Sequence, residues 1–144
     1  MAQFKGCLST PRSPDEVYAY LADFTNATEW DPGTRQARRT DEDRFVLTAA
    51  FFGSTIDLTY SIAEATPPSR LVLDLAGRGI RGRDVITVRT DDSADQTVVS
   101  YDAEIGTTGI KRLLAPAVAF GFPSVARKAL DGLADALGGH VIDC

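Results

Sequence analysis

The sequence is poor in the residues that carry most protein chemistry. It has one histidine and two cysteines, and no group of His, Cys and carboxylates stands at metal-ligand spacing. No glycine-rich phosphate loop or serine elbow occurs, and Gly77-Arg78-Gly79 reads as a turn. No metal and no cofactor is therefore expected. The single histidine, His140, lies past the last helical pattern beside Gly138-Gly139 and reads as a solvated tail residue. Cys7 falls in an expected strand and Cys144 is the last residue, a placement that reads as free thiols and not as a disulfide framework.

Positive charge is also scarce. A net charge of −5 opposes general nucleic-acid binding, which depends on phosphate neutralisation. No uninterrupted apolar run approaches the ~20 residues of a membrane-spanning helix. The opening MAQFKGCLST has no apolar signal core, so a cytoplasmic location is expected. Repeats, low-complexity tracts and linkers are missing as well, and 144 residues make one domain, 1–144, with a real core.

What is present begins with the last stretch, Ile110 to Leu137. Its apolar residues, among them Leu113, Val118, Phe122, Val125, Leu130 and Leu133, recur every three or four positions, as on a helix with one buried face. Such a helix would run about 40 Å. Pro116 and Pro123 each remove a backbone donor, and with Gly121 they place a bend at Ala119–Ser124. Two readings stay open: the bend follows the curve of a sheet, or it leaves a gap between helix and sheet.

Upstream, residues 3–9 alternate weakly as a first strand. Ser13-Pro14-Asp15-Glu16 is a helix start with N-cap, N1 proline and capping box, and the helix ends near Asp23. Asn26–Trp30 adds one more turn before Asp31-Pro32-Gly33 stops it. From Thr34 to Ile105 the pattern is period two, broken at Gly53-Ser54, Thr66–Ser69, Arg78-Gly79 and Asp91–Asp95. The fold class is α+β: about seven antiparallel strands, two short helices after the first, and a long C-terminal helix across the sheet. In a meander, alternate connections share one end. Gly53-Ser54, Arg78-Gly79 and the loop 106–109 should therefore meet beside the start of the long helix, where any opening would lie.

The stretch SPDEVYAYLADFTNATEWDPG (Ser13–Gly33), followed by TYSIAEATPPSRLVLD, GIRGRDVITV and the final helix, resembles the START-like, helix-grip (SRPBCC) superfamily in its polyketide cyclase/dehydrase branch. The resemblance spans nearly the whole chain. It implies a curved sheet gripping the last helix, with a hydrophobic cavity between them for a lipid, polyketide or isoprenoid-like ligand.

Strand parity selects the polar groups that would face such a cavity. Asp84 shares parity with Ile86 and Val88, Tyr60 with Leu58 and Ile62, and Tyr101 with Val99 and Ala103. A buried carboxylate must be paired, protonated or wet, and a raised pKa would suit Asp84 to acid–base work with Tyr60 or Tyr101. The alternative for all three is ordinary core or structural pairing. Trp30 is read as a plug at the end opposite the mouth, or as a cavity wall. Arg78, Arg81 and Arg83 crowd one turn, either as a solvated hairpin or as a seat for an anionic head group. The candidate ligand-binding set is Trp30, Leu47, Phe51, Leu58, Tyr60, Leu73, Arg81, Asp84, Ile86, Tyr101, Val118 and Phe122. Binding of a small hydrophobic molecule is the leading expectation, with cofactor-free cyclisation or dehydration as the alternative. A third reading, an accessory domain, rests on Phe52 as an exposed contact. The chain is expected as a monomer or homodimer.

Overall fold

The computed structural model describes residues 2–51 and 53–144; Phe52, invoked above as a surface contact, lies outside them. Strand β1 (Ala2–Thr10) leads into α1 (Pro14–Ala22). Ser13 Oγ caps this helix, accepting the Glu16 N–H at 3.2 Å, and Val17, Tyr18 and Leu21 form its buried face. The Asp23 carboxylate accepts the Thr25 N–H at 3.1 Å and starts a 3-10 turn over Phe24–Asn26. The single-turn helix α2 (Ala27–Trp30) follows at once. Two short helical pieces after the first strand are thus present as expected.

Strands β2 (Thr34–Asp41), β3 (Arg44–Phe51), β4 (Ser54–Thr66), β5 (Arg70–Gly77), β6 (Ile80–Asp91) and β7 (Gln96–Thr107) form an antiparallel meander. β1 pairs with β7, from Ala2 opposite Ile105 to Thr10 opposite Thr97. A 3-10 segment (Gly109–Leu114) and the long helix α3 (Ala115–Ala136) come next. The sheet has eight strands, one more than the period-two signal shows, because β8 (His140–Ile142) returns along β1. His140 is therefore a strand residue opposite Ser9, exposed as expected but not in a loose tail.

The tail also corrects the reading of the cysteines. β8 sets Ile142 opposite Cys7, and Cys7 and Cys144 form a disulfide with their Cα atoms 5.3 Å apart. The pairing depends on β8, which the chain pattern does not announce.

Helix α3 has two unlike halves. Leu130, Leu133, Ala134 and Leu137 are buried and join Leu8, Val99 and Ile86 in the main core. Toward the start, Phe120 is 90% exposed, Leu113 83% and Ile110 86%. By length and composition the segment Gly109–Ala136 meets the criterion for a bilayer span, where uninterrupted runs pointed to none. Its far half is nonetheless the helix that the sheet grips. Pro116 does not interrupt α3, because it lies in the first turn where its missing N–H has no partner to lose. Only Pro123 is interior.

Gly132 sets how closely α3 approaches α2. A Cβ there would run into the Trp30 carbonyl. Helix propensity alone predicts that Gly132→Ala stabilises by about 1 kcal/mol. The contact reverses the sign: we expect a loss of about 2 kcal/mol from overpacking against backbone that has nowhere to move. Urea unfolding of the variant decides between the two.

Candidate functional site

The concave face of the sheet, α2 and the upper half of α3 enclose a cavity of about 370 Å³. It exists because α3 is seated only at its far end. Leu47, Phe51 and Leu58 form one wall from β3 and β4, and Val118 and Phe122 form the opposite wall from α3. These apolar positions follow from strand alternation and helical spacing.

The connections that hairpin parity groups together do meet beside the entry of α3, the end at which the opening, the mouth, is expected. The Gly79 carbonyl accepts the Thr108 N–H at 2.8 Å, which joins the β5–β6 turn to the entry of α3. Gly79 has φ +73°, and the stem of Lys111 packs where a side chain would be. Lys111 Nζ stands 5.1 Å from the centre of the Phe51 ring, beside the β3–β4 connection.

The inner end is polar. Tyr101 Oη donates to Asp84 Oδ2 at 2.5 Å, the length of a strong, charge-assisted bond. Asp84 is only 5% exposed. Its other oxygen has no hydrogen-bond partner among the described residues and opens onto the cavity. Tyr60 also lines the cavity, and its hydroxyl has no hydrogen-bond partner among the described residues. Trp30 stands edge-on to Phe24 at 5.9 Å and lies 6.1 Å from Tyr101, while Phe24 lies 5.0 Å from Tyr60. Trp30 is therefore both packing and cavity wall.

Burial pushes Asp84 up to about 7; the Tyr101 bond opposes this rise, and the charge of Asp31 adds to it. Burial, reinforced by the neighbouring Asp84 charge, holds Tyr60 and Tyr101 well above the ordinary tyrosine value. Both tyrosines thus keep their protons at neutral pH, while Asp84 is divided between its two forms.

Asp31 is the site residue that sequence reasoning missed. It lines the cavity, and burial raises its pKa. Its carboxylate accepts the Gly33 N–H and the Thr34 hydroxyl, both at 2.9 Å. Asp31-Pro32-Gly33 carried only a helix-stop signal, and the turn that ends α2 is what aims Asp31 inward.

Three sequence candidates lie elsewhere. Leu73 and Ile86 are fully buried in the main core and do not line the cavity. Arg81 is exposed on the opposite face of β6 from Asp84 and does not line the cavity. Arg83, on that same outer face, pairs with Asp74 at 2.8 Å. Among the described residues there is no metal-ligand cluster of His, Cys, Asp and Glu.

Solved structures share this architecture. A protein from Deinococcus radiodurans superposes with a TM-score of 0.73 at 13% identity, covering 95% of this chain and 95% of its own. One from Thermus thermophilus gives 0.74 at 14% identity, with 94% and 96% covered. A START superfamily protein from Mycobacterium smegmatis gives 0.69 at 15% identity, with 95% and 94% covered. No curated protein sequence matches. The family model described as "Polyketide cyclase / dehydrase and lipid transport" matches residues 1–138, and the chain, with its START-like fold, belongs to that family.

Proposed function

We propose that this protein, acting as a single domain over 1–144, binds a small and mostly apolar molecule in the cavity between sheet and α3. The observation that carries this reading is the cavity itself. Its volume of about 370 Å³ falls in the range of small-molecule sites, and it has apolar walls with a few convergent polar groups at one end. Leu47, Phe51, Leu58, Val118 and Phe122 would hold the apolar body, and Tyr60, Asp84 and Tyr101 the polar end.

Native mass spectrometry with extraction tests the reading. The expected result is a bound species that leaves on denaturation, or, for a protein purified empty, a neutral apolar dye that binds. Val118→Trp, which fills the cavity, should abolish either. Neither a bound species nor dye binding would show that the cavity is not a binding site.

The second reading is cofactor-free cyclisation or dehydration of a polyketide. The Asp84–Tyr101 bond favours it, because a carboxyl titrating at about 7 can take and return a proton at neutral pH. Tyr60, its hydroxyl directed at the cavity, would steady a carbonyl oxygen. In this case Asp84→Asn keeps binding and loses turnover.

A protein that keeps the Cys7–Cys144 bond works in oxidising surroundings, which sets the disulfide against the cytoplasmic expectation. A thiol count on protein recovered without reductant decides between them.

A further inference from the structure

The polar end of the cavity has one sign. Asp84 and Asp31 both line it, Glu104 borders it from a β7 position opposite the outward-facing Arg83, and among the described lining residues there is no lysine, arginine or histidine. The arginines near the β5–β6 turn, Arg81 and Arg83, lie on the outer face of β6. Lys111 stands at the mouth and is not among the lining residues. Asp84 is four residues along β6 from Ile80, which pairs with Thr107 near the mouth. That puts it about 13 Å inward. A molecule that reaches it leads with its polar end.

Two carboxylates in an apolar enclosure repel each other and are both poorly solvated. The group that relieves both penalties is a cation with protons to donate. Asp84 presents an oxygen without a partner, and Asp31, whose two oxygens each accept one bond, retains lone pairs. Tyr60 adds a hydroxyl able to donate or accept. A neutral hydroxyl donates only one bond there. A carboxylate adds a third negative group and has no cation to meet.

We propose that the cavity selects apolar amines, with the nitrogen placed against Asp84 and attracted by the neighbouring charge of Asp31, accepts neutral apolar molecules less well, and rejects carboxylates. This rests on the cavity-binding reading and names the ligand class for it.

The test is displacement of Nile red, a neutral dye, from the full chain at pH 7.5. The competitors are dodecylamine, 1-dodecanol and dodecanoate, each below its micelle concentration. The expected order is amine tighter than alcohol by about tenfold, the scale of one charge-assisted hydrogen bond, with dodecanoate weaker than alcohol by at least about as much. Asp84→Asn, which removes the charge, should shrink the amine advantage to about threefold or less by weakening the amine far more than the alcohol.

Dodecanoate binding as tightly as the amine overturns the proposal. So does dodecanoate binding that is lost in Lys111→Ala and untouched in Asp84→Asn, which would place the head group at the mouth. An amine preference that survives intact in Asp84→Asn reflects the net negative charge of the protein and overturns it as well. If neither dye nor any competitor binds, the cavity-binding reading falls, and the selectivity falls with it.

Discussion

Asp84→Asn should unfold at a higher temperature than the parent protein at pH 8, with a gap that narrows as the pH falls. Asp84 titrates at about 7 when folded, against an ordinary carboxyl value of 3.8. Between those values the native state holds a proton that the unfolded chain has released. Stability then falls as pH rises, by about 1.4 kcal/mol per unit. Below the lower value the protonated carboxyl is carried into the fold without this penalty; above 7 the penalty is complete. Across the window it amounts to about 4 kcal/mol. Asparagine has no proton to lose and still accepts the Tyr101 hydroxyl bond, so it escapes the penalty. The stability gap should therefore be about 4 kcal/mol at pH 8 and under half of that at pH 5. Groups remote from Asp84 titrate alike in both proteins, and Tyr60 and Tyr101 keep their protons throughout this range, so the gap reports the Asp84 site. Urea unfolding of both across this range is the measurement. A gap independent of pH would show that Asp84 is ionised and well partnered in the native state, and would remove the basis for its acid–base role.

The second large effect concerns the Cys7–Cys144 bond. It joins residues 137 apart in sequence. Closing a loop of that length removes so much freedom from the unfolded chain that its loss should cost about 5 kcal/mol. Tris(2-carboxyethyl)phosphine should lower the melting temperature of the parent protein, and Cys144→Ser should reproduce the loss and no longer respond to the reductant. The loss begins locally, because β8 has only three residues on β1 and a strand so short holds weakly by pairing alone. Hydrogen exchange at His140–Ile142 should speed up before the rest of the sheet does. A melting temperature unchanged by reductant, in protein whose thiols are shown to be oxidised beforehand, would mean that the unfolded ensemble is not restrained by the bond.

Much of the fold was legible because both periodicities are strong. Alternation in β3 to β7 and the turn residues between them set the meander. The capping box at Ser13–Glu16 set α1. The same alternation put Tyr60, Asp84 and Tyr101 on the concave face, where they lie. Arg81 has the parity of Arg83 and lies on the outer face, near the β5–β6 turn and outside the cavity lining.

Other features had no local signal. Parity says that Leu73, Ile86, Leu47 and Leu58 all point inward. It does not say that the first two meet packed core and the last two meet open space. That division depends on where α3 stops touching the sheet, which is set by the seat of Leu130 and Leu133 and by the approach that Gly132 allows. Asp31 turns inward because α2 ends where it does. β8 and the disulfide exist only because the far end of α3 returns the chain to β1. Apart from β8, the sequence by itself determined which main elements form and which face their strand and helix residues take, since backbone period and turn chemistry are local. Tertiary structure decided where space is left, which carboxylates share it and which cysteines meet, because these depend on distances between elements far apart in the chain.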